Sequence, residues 1–170
     1  MTALILAKAA GATTIITSSS DEKLEFVKSR YGPDYTINYK TTPEWAAEVL
    51  RITNGQGVDH VIEVGGAGTM KQSLEAVAVG GLISVIGFLS SAPEGQQPDL
   101  VMSVLTKACV VRGILGGSKQ QLEEAVGFMN ARGLELLVDK TFRFDRDEII
   151  AAFNYVASGA HMGKVCITFE

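Results

Sequence analysis

The sequence predicts an α/β protein in which helices flank a doubly wound parallel sheet. Short runs of branched apolar residues alternate along the chain with segments of helical periodicity, which is typical of this class. The clearest unit is Val58–Gly87, in which a strand, a glycine turn, a helix and a second strand follow one another. Two apolar strands joined by one helix indicate parallel pairing, because a parallel pair needs a crossover connection.

The chain before this unit contains three predicted helices and two predicted strands. Two of the helix starts carry a recognisable signal: Ser19 and Glu22 form a capping box, and Pro43 stands at a first helical position. The predicted elements, in order, are a helix over Thr2–Ala10, a strand over Ala12–Thr17, a helix from Ser19 through Tyr31, a strand over Tyr35–Tyr39 and a helix from Thr42 to Asn54-Gly55.

Within the central unit, the strand Val58–Val64 ends in a turn that contains three glycines. Positions without a Cβ atom allow a tight turn and the close approach of a ligand. Thr69 and Gln72 form a second capping box, and Gly80-Gly81 is predicted to end the helix that it opens. The inward face of this helix is predicted to consist of Met70, Leu74, Val77 and Ala78. The strand after it is predicted over Leu82–Ile86 and is followed by Gly87.

The remainder of the chain continues the alternation of helix and strand. Ser118 with Gln121 and Asp145 with Glu148 have the spacing of helix caps. The predicted elements are a loop over Phe88–Gln97, a helix from Pro98 through Leu105, a strand over Ala108–Leu115, a helix from Ser118 to Gly133, a strand over Leu134–Phe142, a helix from Asp145 to Ser158 and a strand over Lys164–Phe169.

Composition narrows the classes of partner. A net charge of −4 without a basic run argues against nucleic acid and against an anionic membrane surface. Cys109 and Cys166 stand among apolar residues and are interpreted as reduced cysteines. No metal-ligand spacing is present, so we expect no metal site. The first residues have neither the charged start nor the length of a signal or membrane segment, and we expect a cytoplasmic protein.

The predicted binding site lies at the carboxyl ends of the strands. Ligands of open parallel sheets bind beyond these ends. Gly65-Gly66 and Gly87 follow two neighbouring strands, so this edge is the candidate site. The alternative interpretation is that these glycines serve only their turns.

Several segments, taken in order, resemble the medium-chain dehydrogenase/reductase superfamily. The resemblance covers essentially the whole chain and is greatest to the zinc-binding alcohol dehydrogenase and quinone oxidoreductase-like members. It implies a Rossmann domain that binds NAD(H) or NADP(H). The matching segments are AKAAGAT, SSSDEKLE, INYKTTPEWAAEVL, GVDHVIEVGGAGT, GGLISVIGF, VRGILGGSKQQLEEA and SGAHMGKVCITF.

The chain departs from the family at its beginning. A complete member has a catalytic domain, a first Rossmann strand and a G-x-G-x-x-G turn that holds the pyrophosphate, and none of these occurs in residues 1–170. We therefore expect a truncated Rossmann-like domain over residues 1–133, without the usual first strand and glycine fingerprint, and weak cofactor binding. Residues 134–170 form a strand-helix-strand segment that in the family packs on the catalytic domain, which is absent here. Because the first strand is central in the family order, either its neighbours close the gap or another segment or chain fills it.

The residues after the Ala12–Thr17 strand bear on the choice of cofactor. An acidic residue there would accept hydrogen bonds from a ribose 2′-hydroxyl and repel a 2′-phosphate. Ser18, Ser19, Lys23 and Tyr39 instead provide hydroxyl groups and an ammonium, a set similar to that of NADP-preferring members. We expect NADP(H) in preference to NAD(H). Alternatively, Ser19 is only a helix cap and Lys23 only a solvated lysine, and Asp21 competes as the ribose ligand.

The resemblance also implies the remaining cofactor contacts. No catalytic acid, base or nucleophile is identified. The expected contacts are Gly65, Gly66 and Ala67 at the adenosine ribose and pyrophosphate, Ile86, Gly87 and Phe88 at the nicotinamide, Ile114 and Leu115 on a strand near the nicotinamide, and Lys164 at the phosphates.

Three functions remain open from the sequence. The first is hydride transfer between NAD(P)(H) and an aldehyde, ketone, enone or quinone. The second is a non-catalytic module that binds a nucleotide or dimerises, and the third is reuse of the cofactor edge for non-redox chemistry on another small molecule. A homodimer is expected through the Ala108–Leu115 strand, because two sheet edges can pair across a twofold axis.

Overall fold

The computed structural model describes residues 1–91 and 98–169. Within these ranges helices and strands alternate along the chain, as predicted. The predicted loop Phe88–Gln97 lies partly outside the described residues. The elements are α1 (Thr2–Ala9), β1 (Ile15–Ser18), α2 (Asp21–Tyr31), β2 (Tyr35–Asn38), α3 (Trp45–Ile52), β3 (Val58–Glu63), α4 (Met70–Ala76), β4 (Val77–Val85), α5 (Leu100–Lys107), β5 (Val110–Gly113), α6 (Lys119–Ala131), β6 (Val138–Arg143), α7 (Arg146–Ala157) and β7 (Lys164–Thr168).

Every strand pair of the described chain is parallel, which confirms the predicted α/β class. The pairs form three groups, in the orders β1-β2, β3-β4-β5 and β6-β7. The chain divides into two compact units, Ile15–Glu123 and the combination of Met1–Thr14 with Glu124–Glu170. The predicted domain boundary between residues 133 and 134 stays a prediction. None of the helices in the described ranges has the length and apolar character needed to span a bilayer.

The first unit contains a break in its sheet between β1 and β3. In the described residues, β1 pairs only with β2 and β3 pairs only with β4. Ile15 of β1 and Val58 of β3 nevertheless pack on one cluster of buried side chains. Neighbouring strands therefore share a core across the break without closing it by hydrogen bonds. The buried members of this cluster are Ile37, Ala46, Val49 and Ala76.

The prediction that Val77 and Ala78 continue α4 is wrong. Val77 has extended backbone angles and pairs with Val58, so β4 begins there. The register then shifts before His60 pairs with Leu82, which places Gly80-Gly81 in an irregularity of the strand and not at a helix end. The side chain of Val77 still faces the interior, in a second cluster with Leu74, Ile83 and Cys109.

Two predicted helix starts are confirmed by their hydrogen bonds. Ser118 and Gln121 form a reciprocal capping box, in which the Ser118 Oγ accepts the Gln121 N–H at 3.2 Å and the Gln121 Oε1 accepts the Ser118 N–H at 2.8 Å. The Asp145 carboxylate accepts the Glu148 N–H at 3.0 Å. Each cap satisfies a backbone donor that has no partner within its helix.

The starts of α2 and α5 are displaced from their predicted positions. α2 is capped by Ser20, whose Oγ accepts the Lys23 N–H at 3.3 Å, and not by Ser19. α5 begins at Leu100 and not at Pro98, because the Asp99 carboxylate accepts the Met102 N–H at 3.0 Å.

Gln72 explains why two further predictions are wrong. It does not form a capping box with Thr69, since its side chain reaches from α4 to the start of α3. Its Nε2 donates to the Pro43 carbonyl at 2.8 Å, and its Oε1 accepts the Ala46 N–H at 2.9 Å. α3 therefore begins at Trp45, later than the predicted start at Thr42, and it is capped from another helix.

Candidate functional site

Two loops at the carboxyl ends of β3 and β4 are joined by hydrogen bonds. We call them the turn (residues 65–69) and the loop (residues 86–91), and together they form the rim. The Gly65 carbonyl accepts the Leu89 N–H at 2.9 Å, the Ser90 N–H at 2.8 Å and the Ser90 hydroxyl at 2.9 Å. Gly66 and Ser90 form a parallel bridge. The two predicted site segments therefore form one surface.

The glycines of the rim allow its two halves to approach closely. A Cβ atom at Gly66, where φ is +82°, would lie 2.6 Å from Cδ2 of Phe88. A Cβ atom at Gly87 would lie 2.5 Å from the carbonyl oxygen of Val64, which belongs to the backbone and cannot rotate away. Gly66 must therefore be glycine for the turn to pack against the loop, and Gly87 must be glycine for the loop to pack beside Val64, before any ligand is considered.

The rim presents apolar side chains to solvent. Phe88 and Leu89 are 72% and 81% exposed, and Ile86 is also exposed. The end of β5 joins this edge, because the Ile114 N–H donates to the Val85 carbonyl at 2.9 Å, and Ile114 and Leu115 are exposed as well. Exposed apolar side chains gathered at one edge favour a binding surface.

The amides of the turn are largely engaged within the protein. The Gly66 N–H donates to the Glu63 carboxylate at 2.9 Å, and the Gly68 N–H donates to the Ser90 carbonyl at 3.4 Å. The Thr69 N–H donates to the Gly66 carbonyl at 3.1 Å. The turn thus offers a ligand mainly backbone surface at Gly65 and Gly68, and Ala67 lies half-buried between them.

Sequence reasoning missed the side chain that organises this turn. Glu63, the last residue of β3, is buried beneath the turn, and its carboxylate accepts hydrogen bonds from Gly66, Thr69 and Ser73. An acidic residue at the end of an apolar strand, followed by hydroxyl residues six and ten positions later, is the signal that could have found it.

The structure also brings together the residues predicted to select the cofactor. Ser18 ends β1, and its carbonyl accepts the Tyr39 N–H at 3.0 Å, while its Oγ accepts the Ser20 N–H at 3.3 Å. Ser19 follows directly, Lys23 lies in the first turn of α2, and Tyr39 is exposed. Asp21, the competing candidate, accepts a hydrogen bond from Asn38 Nδ2 at 2.7 Å.

Lys164 belongs to the other compact unit. It begins β7, its N–H donates to the Leu137 carbonyl at 2.7 Å, and it is exposed to solvent. Its predicted contact with cofactor phosphates stays a prediction.

The described part of the chain contains no cluster of metal-ligating side chains. Residues 1–91 and 98–169 contain no group of three or more His, Cys, Asp or Glu side chains placed to hold a metal ion. Cys109 is a buried free thiol and Cys166 a half-buried one. The described residues do not fit a zinc site, and the expectation that the chain binds no zinc stays a prediction.

Comparison with known proteins places the chain in a family. The model of the family described as "Zinc-binding dehydrogenase" matches residues 1–131. A zinc-type alcohol dehydrogenase-like protein of Schizosaccharomyces pombe is 45% identical over 99% of this chain and 48% of its own length. Prostaglandin reductase-3 of Mus musculus is 38% identical over 97% of this chain and 48% of its own length.

A solved structure agrees with these relatives. The crystal structure of an NAD-dependent alcohol dehydrogenase is 30% identical, with a TM-score of 0.84 over 99% of this chain and 47% of that one. The chain thus spans about half the length of the relatives that it matches. The resemblance to medium-chain dehydrogenases is confirmed, and the chain belongs to the zinc-binding dehydrogenase family of that superfamily.

Proposed function

We propose that the chain forms the nicotinamide-dinucleotide-binding part of an oxidoreductase that acts on an aldehyde, ketone, enone or quinone. The observation that carries this proposal is the rim, where the turn and the loop meet at the carboxyl ends of two parallel strands. This is the position at which open α/β sheets bind ligands. The related alcohol dehydrogenase structure is NAD-dependent by name, and other relatives are named as dehydrogenases and reductases.

The residues of the rim are small or apolar where a dinucleotide would lie. Gly65, Gly66 and Ala67 carry no side chain larger than a methyl group beside the ribose and the adjoining phosphates, and Ile86, Gly87 and Phe88 provide a mostly apolar surface for a flat ring. When bound, the nicotinamide supplies or accepts the hydride. The chain's own part is to bind and orient, which is most of what hydride transfer needs from a protein.

Turnover is the direct test of the oxidoreductase proposal. We expect at least one compound from a panel of aldehydes, ketones, enones and quinones to be reduced. The amount of NADPH oxidised should equal the amount of that compound reduced. If NADPH binds but none of these compounds is reduced, the result would favour the non-catalytic module. Conversion that leaves NADPH unconsumed would favour non-redox chemistry.

We further propose that the cofactor is NADP(H) in preference to NAD(H), bound weakly because residues 1–170 contain no G-x-G-x-x-G turn. Ser18 ends β1 and Ser19 follows it, Lys23 lies in the first turn of the next helix, and the Tyr39 N–H donates to the Ser18 carbonyl. Replacing Lys23 with alanine is expected to weaken NADPH binding about fivefold relative to NADH. This corresponds to about 1 kcal/mol, as for an exposed charge pair. Calorimetric titration of both cofactors measures the ratio.

Lys28 provides the matched control for Lys23. It lies on the same helix, where it forms an exposed ion pair with Glu25 at 3.8 Å. Lys28→Ala removes the same charge further from the end of β1, and the NADPH to NADH ratio should stay unchanged. Equal effects of the two substitutions would show that Lys23 acts only through net charge.

We also propose a homodimer in which the β5 edges of two copies pair. In the described residues β5 pairs only with β4, and Val110 and Leu115 on and beside this edge are exposed. Sedimentation equilibrium at micromolar concentration should show a dimer. Val110→Glu combined with Leu115→Glu should weaken it at least about tenfold, because four carboxylates would then face one another at the interface. Monomer alone in the unsubstituted protein would remove this proposal.

The cytoplasmic location stays a prediction.

A further inference from the structure

Glu63 is a buried carboxylate whose partners come from the turn and from the helix after it. It is 3% exposed. Its Oε1 accepts the Gly66 N–H at 2.9 Å and the Thr69 hydroxyl at 2.6 Å, and its Oε2 accepts the Ser73 hydroxyl. Among the residues that the structure describes, no Lys, Arg or His forms an ion pair with it. Hydrogen bonds alone therefore compensate its burial.

A buried carboxylate held in this way is costly for stability alone. An apolar side chain of similar volume often stabilises a core at least as well. A fully hydrogen-bonded polar network does, however, fix one local geometry, because any rearrangement leaves a buried group without a partner. The geometry fixed here is that of the turn.

The turn also holds the loop in place, through hydrogen bonds. Glu63 draws the Gly66 N–H inward, and this leaves the neighbouring Gly65 carbonyl directed at the loop, where it accepts three hydrogen bonds from Leu89 and Ser90. Thr69 closes the other side of the turn, because its hydroxyl contacts both the Glu63 carboxylate and the Gly66 carbonyl.

We infer that Glu63 is a positioning residue of the rim, which holds residues 65–69 in the conformation that joins them to the loop after β4. Glu63 does not reach the surface and has no direct contact with a ligand in this role. The consequence for ligand binding rests on the function proposed above. The consequence for the conformation of the loop does not depend on that function.

Two substitutions that each remove one hydrogen bond to Glu63 separate this role from general stabilisation. Thr69→Val keeps the side-chain volume and removes the donor in the turn, together with its contact to the Gly66 carbonyl, whereas Ser73→Ala removes the donor in α4. The Glu63 variants below assign the effect to the carboxylate. We expect Thr69→Val to speed hydrogen exchange of the Leu89 and Ser90 amides about tenfold and to weaken NADPH binding by a similar factor. Ser73→Ala should change both less than about threefold. Similar acceleration in the two variants would overturn the inference.

Glu63 itself supplies the second comparison. In Glu63→Gln the amide oxygen still accepts from Gly66 and Thr69, and the amide nitrogen donates to Ser73, whose hydroxyl can also accept. We expect Gln to keep loop exchange rates within about threefold, while Glu63→Leu accelerates them at least tenfold if it folds. Gln behaving like Leu would overturn the inference. If the unsubstituted protein binds no NADPH, the proposed function fails, and the exchange rates still decide the role of Glu63.

Discussion

Gly66→Ala is expected to lower the free energy of unfolding of the unit Ile15–Glu123 by about 2–4 kcal/mol and to weaken NADPH binding at least about tenfold. Two costs combine. An L-residue is strained at φ +82°, and its Cβ atom would lie 2.6 Å from the Phe88 ring and 3.0 Å from the Phe88 Cα. Urea denaturation followed by Trp45 fluorescence measures the stability, because Trp45 is the chain's one tryptophan and lies in this unit.

Gly80 separates these two costs. Its φ of +78° imposes nearly the same strain, but a Cβ atom there would meet nothing within 4 Å. Gly80→Ala should therefore cost only about 1–2 kcal/mol and leave NADPH affinity unchanged. Equal losses of affinity in the two variants would contradict the claim that contact between turn and loop forms the site.

Gly87→Ala is the second large effect, and it involves no left-handed backbone. A Cβ atom there would lie 2.5 Å from the Val64 carbonyl oxygen, so β3 and the loop after β4 must move apart. We expect a loss of about 1–3 kcal/mol in the free energy of unfolding, as for an overpacked site, together with weaker NADPH binding. The same urea and calorimetric titrations measure both quantities.

Gly113, at the end of the neighbouring strand β5, is the matched control. A Cβ atom there would meet nothing within 4 Å, and its φ is not positive. Gly113→Ala should be neutral or stabilise by about 0.5 kcal/mol, because alanine restricts the unfolded chain. If both alanines were neutral, the close packing of the rim would not matter for stability or binding.

The sequence predicted the alternation of elements well, because apolar runs and turn glycines are local signals. It also located the rim, since strand ends followed by glycine can be read without a structure. Helix starts were less predictable wherever the cap came from elsewhere. Gln72 has the spacing of a capping box with Thr69, yet it caps α3, because the tertiary fold offers it the Pro43 carbonyl and the Ala46 N–H.

Features that depend on contacts between residues distant in the sequence were the least predictable. The extended start of β4 at Val77 depends on its pairing with Val58, and helical periodicity over the same residues gave no sign of it. The break between β1 and β3 was foreseen as a missing strand. That the two sides share a core without pairing could be known only from the packing of Ile15 and Val58 on one cluster.

Amide NMR spectra of the chain titrated with NADPH to millimolar concentration test the central claim most directly, because they detect weak binding and locate it. The account predicts progressive shifts at residues 65–68 and 86–89 and at the end of β1 around Ser18. An unchanged rim, or shifts confined to residues elsewhere in the chain, would contradict it.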